Sequence, residues 1–249
     1  FFVKYTLDIN VMERIDMSVL MAVYKKDNPA FLCESLESIF TQTVEAGEVV
    51  LLEDGPLTEA LYDVIKLYQS KYPALRVVAY SVNRGLGKTL NDGLQLCKYD
   101  IVARMDADDI CKSNRFETEY KWLKTHEDYD VIGSWVDEFT KDKTQVRSIR
   151  KVPEQYEDIK KYARYRCPVN HPTVMYRKAA VQAVGGYLTE YFPEDYFLWL
   201  RMLKNGCKFH NIQQSLLWFR YSEETVAKRG GWAYACDEVR ILVRMLKMG

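Results

Sequence analysis

The sequence predicts an α/β fold in which a mostly parallel central sheet is flanked by helices on both faces. Three observations predict this class. Short apolar runs of strand length recur along the chain, polar residues follow them, and segments with apolar residues at helical spacing separate them. Strands that alternate with helices imply right-handed crossovers and mainly parallel pairing. The 249 residues, 48% of them hydrophobic, are enough for one large core, so we expect a single domain.

The first half of the chain has the most regular pattern. Its predicted strands are 17–24, 48–54, 75–81 and 100–106, and its predicted helices are 29–41, 58–72 and 88–97. Pro29 is tolerated in the first turn of a helix, and Thr58 is a typical capping residue at a helix start. These elements in order predict four neighbouring strands joined by helical crossovers.

The second half is less regular. Its predicted helices lie near 154–165 and from about Glu194 to Asn205, and its predicted strands are 173–176, 208–212 and 215–220. The segment 232–248 mixes apolar and basic residues, as an amphipathic helix does. Such a helix either docks on a membrane or, more commonly, packs on its own domain.

Composition argues against several classes of protein. The 35 basic and 35 acidic residues cancel, so no global positive field favours nucleic acid as a partner. No apolar run approaches the roughly 18 to 20 residues of a membrane-spanning helix. The six cysteines include no C-x-x-C pair, which predicts reduced thiols in a cytoplasmic protein.

Polar residues follow the predicted strands at one edge of the sheet. Tyr24, Asp54 and Asp106 stand at the ends of three strands, and Asn83 and Arg84 follow another. Ligands of open α/β sheets bind at the carboxyl ends of the strands. We therefore expect the binding site at this edge.

The segment ARMDADD places three carboxylates within four positions. If the segment is extended, Asp106 and Asp108 face the same side and Asp109 faces away. Two carboxylates at a sheet edge suit Mg²⁺ or Mn²⁺, which prefers oxygen ligands and takes others from a phosphate. The alternative is a solvated acidic turn that caps a helix from about Asn114.

Two nucleotide-binding motifs are incomplete. Gly87, Lys88 and Thr89 resemble the end of a P-loop, but Val82 occupies the position where that motif requires glycine. The first strand also lacks G-x-G-x-x-G, which argues against a dinucleotide cofactor.

Five segments, in order, carry a family resemblance. They are SVLMAVYKKDNPAFLCESLESIFTQT, LLEDGPLTE, NRGLGKTLNDGL, ARMDADDI and GGYLTEYFPEDYFLWLRML. Together they closely resemble family 2 glycosyltransferases with the GT-A fold, particularly bacterial enzymes of capsule or lipopolysaccharide synthesis, over roughly residues 17–220. The resemblance implies inverting transfer from a nucleotide diphosphate sugar, usually a UDP-sugar, assisted by Mn²⁺ or Mg²⁺.

The resemblance also implies roles for individual residues. Asp54 would accept a hydrogen bond from uracil, Asp108 would ligate the metal, and Asp106 would contact ribose or share the ion. The residues assigned to the nucleotide sugar are Ala22, Val23, Tyr24, Asp54, Asn83, Arg84, Gly85, Lys88, Arg104, Asp106, Ala107 and Asp108. For Tyr24 and Lys88, ordinary strand-end packing and an exposed helix position are the respective alternatives.

The segment PEDYFLWLRM is predicted to supply the general base that inversion requires. An acceptor hydroxyl loses its proton as it attacks, and the resemblance selects Asp195 for this role. Glu194 beside it either lies at the acceptor or only caps the helix. His171 either reaches metal or acceptor or is a structural histidine, and Arg201 is a candidate for a phosphate contact.

The acceptor is the least defined part of the prediction. Between 141 and 166, nine Lys or Arg residues stand against four Asp or Glu. This excess suits a lipid-linked diphosphate or anionic lipid, and a solvated helix face explains it almost equally well. The chain lacks Q-x-x-R-W, typical of processive synthases, which favours the addition of one sugar per encounter to a glycan or lipid-linked acceptor.

The expected organisation is an N-terminal extension (1–16), a GT-A domain (17–222) and a C-terminal helical segment (223–249). Within the domain, 17–110 would bind the nucleotide sugar and 111–222 would hold the acceptor and the base. We expect a cytoplasmic protein, in peripheral contact with the inner membrane if the basic or amphipathic segments bind lipid. A sugar-nucleotide nucleotidyltransferase and a non-catalytic glycan-binding protein are the alternatives from other classes.

Overall fold

The computed structural model describes residues 12–188 and 193–221, which contain nine strands and seven α-helices. The strands are β1 (Arg14–Val23), β2 (Glu45–Glu53), β3 (Leu75–Ala79), β4 (Ile101–Met105), β5 (Ile110–Cys111), β6 (Val131–Phe139), β7 (Ser148–Arg150), β8 (Met175–Arg177) and β9 (Phe209–Arg220). The helices are α1 (Pro29–Phe40), α2 (Glu59–Lys71), α3 (Leu86–Leu96), α4 (Arg115–Thr125), α5 (Tyr156–Tyr162), α6 (Lys178–Ala183) and α7 (Glu194–Lys204).

Strands β1 to β4 form the parallel half of one sheet, in the spatial order β3-β2-β1-β4. These four strands and the helices α1, α2 and α3 between them confirm the prediction from the sequence. β1 begins at Arg14, which pairs with Glu45, so residues 14–16 belong to the sheet rather than to an N-terminal extension. Parallel strands bring their carboxyl ends to one edge, where the site is expected.

The other half of the sheet is mixed. β8 pairs antiparallel with β4 and with β6, and β9 runs parallel to β6. The short strands β5 and β7 pair antiparallel with β9 and with β6, respectively. The sequence does not predict β6, because Gly133, Ser134 and two acidic residues interrupt its apolar run. The strands predicted at 208–212 and 215–220 are one strand, β9, whose register against β6 shifts at 213–214 and again at 216.

Local sequence explains where the first helices begin. The Asn28 side chain accepts a hydrogen bond from the Ala30 backbone N–H at 2.9 Å, and Pro29 occupies the first turn of α1. Thr58 Oγ1 accepts from the Leu61 N–H at 3.4 Å at the start of α2. These caps satisfy backbone donors that a helix leaves unpaired at its amino end.

The sheet separates two apolar layers. Alternate residues of β4 face opposite layers: Ile101, Ala103 and Met105 pack towards α1, α2 and α4, whereas Val102 packs towards α3 and α7. The same alternation directs Arg104 to the α3 and α7 side, although it is almost completely buried. A charged side chain is thereby held inside the fold, at the end of the strand that precedes the acidic segment.

Two expectations from the sequence concern the cysteines and membrane-spanning helices. The cysteines of the described residues are free thiols, and the sixth, Cys236, lies outside them, as does the predicted C-terminal segment 223–249. Among the helices in residues 12–188 and 193–221, none combines the length and the apolar character that crossing a bilayer requires.

Candidate active site

A cavity of about 900 Å³ lies where the parallel strands end. Its wall combines residues that follow β1, β2 and β4 with residues from the second half of the chain, including the start of α7. Most of the predicted site residues line it: Ala22, Val23, Tyr24, Asp54, Asn83, Gly85, Arg104, Asp106, Ala107, Asp108, His171, Glu194 and Asp195. One cavity therefore contains the acidic segment and the predicted base.

Three predicted residues have side chains that do not line this cavity. Lys88 is exposed on α3, and the Arg84 guanidinium forms an ion pair with Asp92 and lies 3.7 Å from the centre of the Tyr80 ring. Arg201 is buried, and its guanidinium donates hydrogen bonds to the backbone carbonyl oxygens of Val184 and Gly186. These bonds fix the turn that follows α6. The phosphate contact predicted for Arg201 is wrong, because apolar helix packing directs the side chain inwards.

Asp54 organises the loop after β3. Its carboxylate accepts hydrogen bonds from Asn83 Nδ2 at 3.0 Å, from the Arg84 N–H at 2.7 Å and from the Gly85 N–H at 3.0 Å. Gly55 permits this approach, because it has φ +86° and a Cβ atom there would lie 2.6 Å from Asn83 N. An acceptor at a strand end thus fixes the polar loop at the cavity rim.

The acidic segment brings together all three of its carboxylates. Oxygen atoms of Asp106, Asp108 and Asp109 lie within 4.8 Å of one another. The expectation that Asp109 faces away is wrong, because residues 106–109 bend rather than continue the strand, so alternation does not apply. Asp109 is fully buried, and its Oδ1 accepts from the Arg220 N–H at 2.8 Å.

Crowding and burial raise the pKa values of Asp108 and Asp109. Burial, together with the negative charge of Asp106, raises the pKa of Asp108 to about 6. Burial and the other two carboxylates raise the pKa of Asp109 well above its usual range. A cation placed among these groups would relieve the repulsion and favour their ionised forms.

Protein cations compensate only part of this negative charge. The buried Arg104 guanidinium forms an ion pair with Asp106. Asp109 Oδ2 is buried and has no hydrogen-bond partner among the described residues. A set of carboxylate oxygens with one unpartnered buried oxygen fits a hard divalent cation such as Mg²⁺ or Mn²⁺.

Arg220, which the sequence does not single out, supports the acidic segment from the end of β9. Its Nε donates to the Asp108 carbonyl oxygen at 2.9 Å, and its guanidinium also pairs with Glu34. The same guanidinium lies 3.9 Å from the centre of the Phe31 ring. No local signal predicts this contact, because Arg220 and Asp108 are 112 positions apart in the chain.

The predicted base lies at the start of α7, in the lining of the same cavity. Burial and the negative charge of Asp195 raise the pKa of Glu194 to about 7. His171 Nδ1 lies 3.9 Å from Asp195 Oδ2, and His171 Nε2 lies 3.0 Å from the Tyr187 hydroxyl oxygen. His171 therefore lies beside the predicted base, and it is absent from the acidic cluster that could hold a metal among the described residues.

The sequence matches a known family. The model of the family "Glycosyl transferase family 2" matches residues 18–185. A beta-1,3-galactosyltransferase of Escherichia coli, named for UDP-Gal and alpha-D-GlcNAc-diphosphoundecaprenol, is 44% identical over 90% of this chain and 80% of its own length. The amylovoran biosynthesis glycosyltransferase AmsE of Erwinia amylovora is 38% identical over 90% of this chain and 83% of its own length.

Solved structures show the same fold at lower identity. A Pyrobaculum calidifontis mannosyltransferase in complex with GDP-Man and Mn²⁺ has a TM-score of 0.70 at 15% identity, over 93% of this chain and 65% of that one. S. aureus TarS in complex with UDP-GlcNAc has a TM-score of 0.66 at 19% identity, over 84% of this chain and 59% of that one. The chain thus spans less than two thirds of these two proteins. The predicted GT-A fold is confirmed.

Proposed function

Because the chain belongs to glycosyl transferase family 2, we propose that it transfers a sugar, with inversion, from a UDP-sugar to a hydroxyl group of a lipid-linked saccharide in bacterial surface polysaccharide synthesis. The observation that carries the proposal is the single cavity lined by both the acidic segment and Asp195. Donor and acceptor classes follow the name of the E. coli relative. The reaction would take place on the cytoplasmic face of the membrane, where a peripheral protein meets both substrates.

The donor half of the cavity is assigned to the nucleotide. Tyr24 would stack near the base, and Asp54, with three backbone and side-chain donors already bound, keeps acceptor capacity for the uracil N–H. The ordered loop at Asn83 and Gly85 would close over the nucleoside. Arg84 contributes to this loop through its backbone, and Lys88 would approach the phosphates only if its side chain turned towards the cavity.

The acidic segment would hold the divalent ion. Asp108 and Asp106 are its proposed ligands, and Mn²⁺ or Mg²⁺ bound there would supply Lewis acidity that lowers the cost of negative charge on the departing UDP. Arg104 orients the Asp106 carboxylate through their ion pair, and Arg220 fixes the backbone at Asp108. These contacts keep the ligand oxygens in place before the donor binds.

Asp195 is the proposed general base. It would accept the proton of the acceptor hydroxyl as the oxygen attacks the anomeric carbon from the face opposite the departing phosphate. Its place in the lining of the cavity that also contains the acidic segment supports this role. The acceptor hydroxyl would therefore bind between Asp195 and the donor sugar.

The function is tested by incubating the protein with a panel of UDP-sugars, Mn²⁺ and a lipid-linked N-acetylglucosamine acceptor, with and without EDTA. We expect UDP release with UDP-galactose among the active donors, and its loss in EDTA. UTP formation that requires pyrophosphate would instead indicate a nucleotidyltransferase. Binding of glycan without turnover of any donor would indicate a non-catalytic protein.

Metal affinity is expected to depend on pH. Since the Asp108 pKa is raised to about 6, its carboxyl group is protonated below that pH, and the ion must displace a proton to bind. Mn²⁺ affinity should therefore fall by up to about tenfold per pH unit below pH 6 and level off above it. Calorimetric titration with Mn²⁺ between pH 5 and pH 7.5 measures this, and a flat profile would contradict the assignment of Asp108.

A further inference from the structure

A basic surface borders the acceptor side of the cavity. It comprises residues 147–151 and 164–166 and is called here the basic rim; its cations are Arg147, Arg150, Lys151, Arg164 and Arg166. Arg150 and Cys167 line the cavity itself, and Asn170 Nδ2 lies 3.4 Å from the Arg150 carbonyl oxygen. The first segment of the rim therefore reaches the cavity wall at Arg150, and the second ends next to Cys167 in that wall, in a protein without net charge.

Arg150 is held in place at the inner end of the rim. Its Nε lies 3.4 Å from Glu138 Oε1, and its guanidinium lies 4.5 Å from the centre of the Phe219 ring, which also lines the cavity. The side chain keeps 32% of its exposure. A guanidinium that is held in this way, with part of its surface at the cavity wall, is suited to a charge-assisted contact with a phosphate.

The outer cations of the rim differ from the lysines of the neighbouring helix. Lys160 and Lys161 pair with Glu157 and Asp158 at 3.7 and 3.1 Å, so α5 compensates its own charges. Arg147, Lys151, Arg164 and Arg166 are exposed and have no carboxylate partner among the described residues. The excess positive charge is therefore located at the rim rather than spread over the segment.

Apolar side chains interrupt these cations. Ile149 precedes Arg150 and is 49% exposed, and Tyr165 lies between Arg164 and Arg166 and is 76% exposed. Cations interleaved with exposed apolar groups suit an amphiphile, in which an anionic group is joined to a lipid chain.

We propose that the basic rim binds the diphosphate of the acceptor, with Arg150 as the contact nearest the transferred sugar and the apolar side chains against the start of the lipid. This assignment rests on the proposed function, which places the acceptor saccharide between Asp195 and the donor. A sugar held at Asp195 by its hydroxyl and anchored at Arg150 by its diphosphate spans the acceptor side of the cavity. The enzyme then selects acceptors by their diphosphate as well as by their sugar.

The test compares two acceptors with the same sugar and the same alkyl chain, one joined through a diphosphate and one through a simple glycosidic oxygen. With the unmodified protein, KM for the diphosphate acceptor should be at least about tenfold lower, as expected when a charge-assisted contact is gained. An alkyl diphosphate without sugar should inhibit competitively against the acceptor and not against the UDP-sugar. Equal KM values and no inhibition would overturn the proposal, while UDP release from both acceptors would leave the proposed function intact.

Variants locate the contact. Arg150→Gln should raise KM for the diphosphate acceptor by about tenfold or more and leave both KM for the glycoside and Kd for UDP unchanged. Arg147→Gln with Arg166→Gln should have a smaller effect that disappears at high salt, because exposed charges are screened. Lys160→Gln, on the same segment but paired within α5, is the matched control and should behave like the unmodified protein.

Three results would contradict the assignment of Arg150. An equal rise of KM for both acceptors would indicate that Arg150 contacts the acceptor sugar or only stabilises the fold. A weaker Kd for UDP would place it at the donor phosphates. An unchanged KM for both acceptors would exclude it from binding altogether. If no UDP-sugar is turned over with either acceptor, the proposed function fails first.

Discussion

Asp195→Asn is expected to lower kcat for transfer by roughly 10²- to 10⁴-fold, the usual contribution of a positioned general base, while the affinity for UDP remains unchanged. Asparagine has nearly the same shape but cannot take up the proton of the acceptor hydroxyl. Asp195 does not belong to the carboxylate cluster proposed to hold the metal, so its replacement should leave the donor side intact. Initial rates of UDP release and a UDP binding isotherm measure the two effects separately.

Glu194→Gln is the matched comparison, because Glu194 lines the same wall one residue earlier. Burial and the charge of Asp195 raise its pKa to about 7, so part of its population is already neutral at neutral pH. Removal of its charge should therefore cost less than removal of the Asp195 charge. If Glu194→Gln abolished transfer and Asp195→Asn did not, the two residues would have to exchange roles.

Asp108→Asn is expected to abolish Mn²⁺-dependent UDP binding and, with it, transfer. A neutral amide still offers an oxygen but removes the charge that a hard cation requires. Loss of outer residues that support a ligand typically costs 10- to 100-fold in metal affinity, so loss of a ligand should cost more than about 100-fold. Calorimetric titration with Mn²⁺, and with UDP in the presence and absence of Mn²⁺, measures both consequences.

The control for this variant is Asp128→Asn. Asp128 is an exposed acid paired with Lys208 at 2.9 Å, outside the cavity lining, and its removal should leave metal binding unchanged. Retention of full Mn²⁺ affinity and activity by Asp108→Asn would show that the acidic segment is not the metal site. In that case Asp106 and Asp109 would serve only to order the turn that Arg220 holds.

The position of Asp195 illustrates how a folded chain assembles a site that local pattern does not define. The sequence locates Asp195 at a helix start and the acidic segment at a strand end, each from its own neighbours. That both line one cavity depends on how β8, β6 and β9 continue the sheet beyond β4. β6, which the local pattern does not predict, lies between β8 and β9 in that order.

The sequence alone determined the parallel half of the fold, the acidic segment at the end of β4, the starts of α1 and α2, and the family. These features depend on periodicity and on short motifs, which involve only residues that are close together in the sequence. The tertiary structure decided the rest. In the folded chain Asp109 lies beside the other two carboxylates, and Arg201 is buried away from the cavity. Arg220 contacts Asp108, although the two residues are 112 positions apart in the chain. Such contacts depend on strand pairing between distant segments and on competition for burial, which no local pattern records.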